Sequence, residues 1–394
     1  MIDLYIETEN EQNREMCKRY WATEDESDEI EFIGTVSAIA QDYGFNNSMK
    51  LLETIREHST AQLKTVTCKR CGRKPEITSR TDALKTFKQR HRNSSHSPEE
   101  GFVCRDCRKE KERERRLQRR QLKENRRARV RKVFQPSNLD RRDPRSWTLR
   151  TAVYLLTLVR AGATEKLDLI TPVRQQDVPL SPGGLMDQGI LEVLSGHDQN
   201  LITIHPESDL DCFEFDGLEP NRYHPMCVSW YLNLGLSAQE NREAIRELED
   251  IFREMDWPDS WIEESKTLWR EVAIHEGIEY LDHKLSQHKL PFDPGERAYG
   301  TMENLVQDFS VAQIYNIVWK KAKDAAAWRA RTYAPKENAT KYAVKAIQGY
   351  ADKVRSENWN ISPYNRDWDC PESMLSKVLY DTVLQIDGFR EVPA

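Results

Sequence analysis

Residues 104–132 read CRDCRKEKERERRLQRRQLKENRRARVRK, and this stretch shapes the interpretation of the whole 394-residue chain. Residues 105–132 contain 15 Lys or Arg and 5 Asp or Glu, a local charge of +10, whereas the full chain carries −6. The remainder of the chain therefore carries −16. Such a separation of charge is typical of proteins in which a basic segment meets an acidic partner.

The basic run is predicted to form one exposed helix. It contains neither Gly nor Pro, and its residues favour helix at almost every position. Leu117 and Leu122 are nearly its only large apolar residues, so the run cannot bury a face in a core. We predict a basic helix over residues 105–135, with Pro136 and a polar linker marking its end.

Two Cys-x-x-Cys pairs lie 32 residues apart in the chain. They comprise Cys68 with Cys71, and Cys104 with Cys107. Each pair is short enough to turn back on one metal ion, and Gly72 relieves the tight turn after the first pair. Four thiolates are the donor set of a structural tetrahedral zinc site, which leaves no open position for catalysis. The sequence therefore predicts one structural zinc ion per chain in a zinc-ribbon-like module over residues 63–110.

The two pairs invite comparison with the knuckles of HNH-type nucleases, but the residues between them do not supply the chemistry of such an enzyme. Only His91 and His96 lie there; no Asp-His pair precedes them and no Asn-rich segment follows. We interpret both histidines, with their basic neighbours, as part of a basic surface and expect no enzymatic activity. A metal-dependent nuclease remains the third of three functional hypotheses.

Residues 34–55 are predicted to form two short helices within an N-terminal helical region, residues 1–62. Ala40 precedes Gly44 by four residues, as the close crossing of two helices requires, and Asn47 is a plausible N-cap for the second helix. Lys50 falls at the start of that helix, where a recognition helix meets base edges. Two interpretations stay open, a DNA-reading helix-turn-helix and a generic helical hairpin.

The order of elements predicted for residues 145–220 is that of a winged-helix-like unit. Apolar helices come first, and a strand pair of residues 201–205 and 212–215, joined by a polar turn, would form the wing. Because this wing is acidic, we expect the unit to serve protein contact or homodimerisation. Residues 225–394, rich in Trp and in helical periodicity, predict a C-terminal α-helical domain with a similar role.

Three polar residues of this C-terminal domain continue an apolar helix face. They are Glu276, Glu279 and His283. Carboxylates and a histidine on a buried face would suggest metal or acid–base chemistry. Gly277 lies among them, however, and a twist there would leave all three exposed, which is the simpler expectation.

Together these features predict a mainly α, multidomain, nucleic-acid-binding zinc protein with duplex DNA as the expected partner. It would act as a transcriptional regulator or as a component of a DNA-associated complex. No signal pattern or apolar run of membrane-spanning length is present, so we expect a cytoplasmic protein that does not enter a membrane. The alternative is a non-catalytic adaptor whose basic helix docks on an acidic protein surface. The candidate nucleic-acid contacts are Lys50, Lys69, Arg70, Arg73, Lys88, Arg90, Arg92, Arg113, Arg115, Arg116, Arg119, Arg120, Arg126 and Arg127.

Overall fold

A computed structural model describes residues 2–24, 30–91, 102–135 and 143–392 of the chain. The chain is mainly helical, with 58% of its residues in helices, which confirms the predicted fold class at that level. It divides into two compact units, Met1–Gln121 and Leu122–Ala394. None of the helices in the described part combines the length and apolar character that crossing a membrane requires.

The first unit packs four helices against a small antiparallel sheet. Its strands are β1 (Ile2–Ile6), β2 (Ser59–Leu63) and β3 (Glu76–Ile77), in the order β1-β2-β3. Its helices are α1 (Glu11–Trp21), α2 (Val36–Asp42), α3 (Ser48–His58) and α4 (Arg80–His91), followed by the first part of α5 (Arg105–Val133). Their apolar faces form one core that includes Met16, Tyr20, Ile39, Leu51, Ile55 and Phe87.

Local capping explains where α2 and α3 begin. The Asn47 side chain accepts a hydrogen bond from the backbone N–H of Lys50, so the predicted N-cap of α3 is present. Gly44 adopts φ of +75° between the two helices, a backbone conformation that glycine adopts without strain. The two helices predicted for residues 34–55 therefore form, while a role for them in reading DNA stays a prediction.

A buried arginine ties α1 to the segment that precedes α2. Arg80 is only 7% exposed, and its guanidinium donates hydrogen bonds to the backbone oxygens of Tyr20 at 2.6 Å and Ile33 at 3.2 Å. It also donates to the oxygens of Arg19 and Gly34. These contacts satisfy carbonyls at the end of α1 that have no partner within the helix, so one side chain organises two segments.

The second unit is a helical assembly built around α6 (Leu149–Gly162), in which residues 151–159 are all buried. The remaining helices are α7 (Asp187–Ser195), α8 (Ala238–Glu254), α9 (Asp259–Gln287), α10 (Glu296–Leu305), α11 (Val311–Thr332), α12 (Lys336–Ser356) and α13 (Met374–Lys377), which continues as a π-helix over Val378–Leu384. A helix that is apolar on every side can lie only inside a core, and α6 does so.

The strands of this unit pair differently from the predicted wing. They are β4 (Ile202–Ile204), β5 (Phe213–Asp216), β6 (Glu219–Tyr223) and β7 (Trp230–Leu232). β4 pairs with β7 and β5 pairs with β6, so the predicted pairing of residues 201–205 with 212–215 is wrong. Gly217, at φ of +60°, allows a two-residue turn between β5 and β6. Closing that short hairpin costs less chain entropy than closing a longer loop.

Replacing Arg80 with Lys should destabilise the first unit by about 2–4 kcal/mol, because one ammonium group cannot serve four carbonyl oxygens. Urea denaturation monitored by circular dichroism measures the change. Arg73→Lys is the matched control, since Arg73 is exposed and should tolerate the same exchange. Equal unfolding midpoints for both variants would contradict the role assigned to Arg80.

Candidate metal centre and basic helix

The four cysteines of the two predicted pairs come together in the first unit. Their sulfur atoms all lie within 4.8 Å of one another, and the Sγ atoms of Cys71 and Cys104 are 3.7 Å apart. Four sulfurs bound at about 2.3 Å to one tetrahedral ion would lie about 3.8 Å apart. The four cysteines could therefore hold a metal ion, as the spacing in the sequence predicts.

Backbone geometry shapes the first cysteine pair. The N–H of Gly72 donates to the oxygen of Cys68 at 2.8 Å, and Gly72 adopts φ of +72°. The N–H of Cys68 in turn donates to the oxygen of Arg73 at 2.8 Å, which closes a tight turn. Gly72 therefore has the role in this turn that its position after the pair predicts.

The second pair lies at the start of α5 and is joined to the first by backbone contacts. The N–H of Lys69 donates to the oxygen of Phe102 at 3.0 Å, and the N–H of Cys104 contacts the Cys68 sulfur at 3.4 Å. Cys107 lies in the first turn of α5. An ion bound here would consequently fix the first turn of the basic helix against the turn that carries Cys68.

The electrostatics of the cluster favour a bound cation. Burial raises the pKa of the Cys68 thiol, but the backbone N–H groups of Cys104, Cys71 and Arg70 outweigh this effect and bring the pKa down to about 6. Hydrogen bonding to Cys104 and burial raise the pKa of Cys107 to about 12. Four thiolates this close repel one another strongly, so a cation is needed for all four to ionise together.

The first part of α5 exposes its charges to solvent. Every residue from 108 to 125 is exposed. Arg116 pairs with Glu112 at 3.1 Å, and Arg70 pairs with Glu114. Within the described residues, Arg113, Arg115 and Arg119 make no such contact. The first part of α5 therefore carries cations that no carboxylate among the described residues of the unit neutralises.

The second part of α5, from Leu122 onward, belongs to the second unit and contacts other residues of that unit. Arg127 donates to the backbone oxygens of Pro206 and Ser208, the latter at 2.6 Å. Arg126 lies over the ring of Phe215, 4.4 Å from its centroid, and donates to the oxygen of Gly217. These two predicted nucleic-acid contacts thus have partners within the chain.

Two further arginines of α5 form ion pairs with acidic residues on the β5–β6 hairpin or in the segment before it. Arg129 pairs with Glu219 and Arg131 with Glu207, each at 2.6 Å. Val130 between them is fully buried. This part of the helix is docked on acidic residues of its own chain.

The other predicted contacts lie on the first unit. Lys50, Lys69, Arg70, Arg73 and Lys88 are exposed there, as are Arg116 and Arg120 on α5. Arg92 and His96 lie outside the described residues, as do the side chains of Arg90 and His91. The exposed set includes side chains around the four cysteines and on α5, where nucleic-acid contact was predicted.

The second unit contains a buried polar cluster that contradicts the expectation for Glu276. This carboxylate is 0% exposed and accepts two hydrogen bonds from Arg366, at 2.7 and 3.0 Å. The hydroxyl groups of Tyr315, at 2.6 Å, and Ser376 also donate to it. α9 runs without interruption through Gly277, whose lack of a side chain leaves room for Met302 rather than introducing a twist.

Glu279, one turn further along α9, is also largely buried. Burial first, and the nearby charge of Glu276 second, raise its pKa to about 7. The backbone N–H of Gly183 partly offsets this rise, while the Oε2 atom of Glu279 has no hydrogen-bond partner among the described residues. The expectation that Glu276 and Glu279 face solvent is therefore wrong, and the apolar face on which the sequence places them was the better signal.

Comparison of the chain with protein-family models, with curated proteins and with solved structures gives no match.

We compare the free energy of unfolding of the Glu279→Gln variant with that of the unmodified protein. The difference should favour the variant more at pH 8 than at pH 5. The folded state binds the Glu279 proton more tightly than the unfolded state, so its contribution to stability declines as pH rises from about 4.5 toward about 7. We expect the variant to gain about 2–3 kcal/mol over this range. Urea titrations at both pH values measure it, and a pH-independent difference would contradict the assignment.

Proposed function

We propose that the chain is a nucleic-acid-binding zinc protein that holds duplex DNA with the exposed first part of α5 and the basic residues around the four cysteines. The observation that carries the proposal is that Arg113, Arg115 and Arg119 are exposed on α5 and have no acidic partner among the described residues. Arg115 and Arg119 are four residues apart and so lie on one face of the helix, about 6 Å apart along its axis. Guanidinium groups in such a row suit the phosphate oxygens of a nucleic-acid backbone.

Zinc is the ion we propose for the four-cysteine site. The donor set contains sulfur alone, and soft thiolates select zinc over magnesium, calcium or manganese. All four tetrahedral positions are filled by protein, so the ion has a structural role. Its contribution would be to hold Arg70 and Arg73 beside the start of α5, so that they extend the same basic surface.

The protein purified under reducing conditions should contain about one zinc ion per chain, because four thiolates complete a tetrahedral structural site. Cys71→Ser should lower the zinc content to well under half an equivalent and lower the melting temperature of the first unit. Plasma mass spectrometry and thermal denaturation are the measurements. Cys227→Ser, which changes a cysteine of the second unit, should keep its zinc. A metal-free unmodified protein would refute the assignment.

Reversing the charge of Arg113, Arg115 and Arg119 to Glu should weaken binding to a duplex of about 25 base pairs at least tenfold at 100 mM salt. Each lost phosphate contact should also reduce the slope of log K against log salt by about one unit. Fluorescence anisotropy at several salt concentrations measures both effects.

The matched control changes the same number of charges on the second unit. Lys323, Arg331 and Lys341 are exposed there, and their replacement by Glu should leave duplex binding within about twofold if α5 is the main contact. Equal losses in both triple variants would show a response to net charge alone and would refute the proposed role of α5.

A second candidate function has one observation in its favour. Arg129 and Arg131 of α5 already pair with Glu219 and Glu207 of the same chain, which shows that arginines of this helix fit a carboxylate-bearing protein surface. An adaptor that docks α5 on an acidic partner would use the same chemistry. Protein of this kind would show no duplex binding at low salt and would co-purify with an acidic partner.

A further inference from the structure

A histidine and two aspartates converge at the end of α9, away from the four cysteines. The Nε2 atom of His283 lies 3.3 Å from Oδ2 of Asp367 and 3.3 Å from Oδ1 of Asp369. The three ligand atoms all lie within 4.8 Å of one another. We propose that His283, Asp367 and Asp369 form a divalent-cation site, independent of the proposed nucleic-acid binding.

The distances favour a shared cation over hydrogen bonding. One ring nitrogen carries at most one proton and can direct it to only one acceptor. Each carboxylate oxygen lies 3.3 Å from Nε2 of His283. A good N–H to O hydrogen bond is shorter, about 2.7–3.2 Å. Neighbouring ligands bound to a metal ion at about 2.0–2.2 Å lie about 3.0–3.5 Å apart. The two distances from His283 are those of ligands around a common ion, and the two aspartate oxygens lie within 4.8 Å of each other.

The frame around the site is rigid. His283 belongs to the long helix α9, and the loop of residues 367–369 follows Arg366, whose guanidinium is clamped on the buried carboxylate of Glu276. The backbone N–H of Cys370 donates to the oxygen of Asp367 at 3.1 Å. The ligands are thus held in place before an ion arrives, as an effective metal site requires.

Access and charge define the ion. The side chain of Asp369 is 38% exposed and that of His283 is 17% exposed, so an ion can enter and keep water on its open side. One imidazole and two carboxylates suit manganese or zinc, unlike the sulfur-only set of the cysteine site. Lys284 contacts the same oxygen of Asp367 and neutralises one carboxylate, so we expect moderate affinity.

Manganese is the probe that separates the two metal sites, because it prefers nitrogen and oxygen donors to thiolates. The full-length protein is first given one equivalent of Zn²⁺ per chain under reducing conditions, which the four thiolates bind in preference to a nitrogen and oxygen site. Mn²⁺ is then titrated, and free Mn²⁺ is measured by electron paramagnetic resonance. We expect about one bound Mn²⁺ per chain.

Asp369→Asn and His283→Gln should each weaken this binding at least tenfold, and circular dichroism should show both variants folded. Asp293→Asn is the matched control, since Asp293 is exposed on the same unit and should bind Mn²⁺ as the unmodified protein does. Absence of a bound Mn²⁺ in the unmodified protein would overturn the site. So would equal binding in the Asp369 variant and the control.

Discussion

A carboxylate without solvent contact, Glu276, is the constraint on which the larger unit depends. A buried charge of this kind costs several kcal/mol unless paired and hydrogen-bonded, and here Arg366, Tyr315 and Ser376 supply the partners. Those partners come from three different segments, so one carboxylate joins α9, α11, α13 and the loop before α13. Removing Arg366 would leave the buried carboxylate without a counter-charge, whereas removing Tyr315 or Ser376 would leave it short of one hydrogen bond.

The same constraint positions the proposed cation site. Arg366 precedes Asp367 directly, so its pairing with Glu276 fixes where the two aspartates can lie relative to His283 on α9. The four-cysteine cluster in the first unit follows a related rule. A buried carboxylate and a cluster of thiolates each need a counter-charge, which a guanidinium supplies at Glu276 and a metal ion would supply at the cysteines.

Helix α5 shows how one composition serves two environments. Its first part has the predicted character, exposed and basic, because Leu117 is the only large apolar residue between positions 108 and 121. Its second part contains Val130, which is buried, with arginines that contact the β5–β6 hairpin and the residues before it. Periodicity alone did not separate the two parts, since a single valine among arginines is a weak apolar signal. The hairpin that receives them lies about ninety residues further along the chain.

Local chemistry in the sequence was enough to determine the helical content, the N-cap at Asn47, the grouping of the four cysteines and the basic character of α5. Each depends on residues close in the chain, or on two short motifs whose ligand chemistry admits one arrangement. Tertiary structure decided the pairing of β4 with β7, the burial of Glu276 and Glu279, and the meeting of His283 with Asp367 and Asp369. Those contacts join residues far apart in the chain, and although the apolar face of α9 points to burial of its carboxylates, no local pattern identifies their partners.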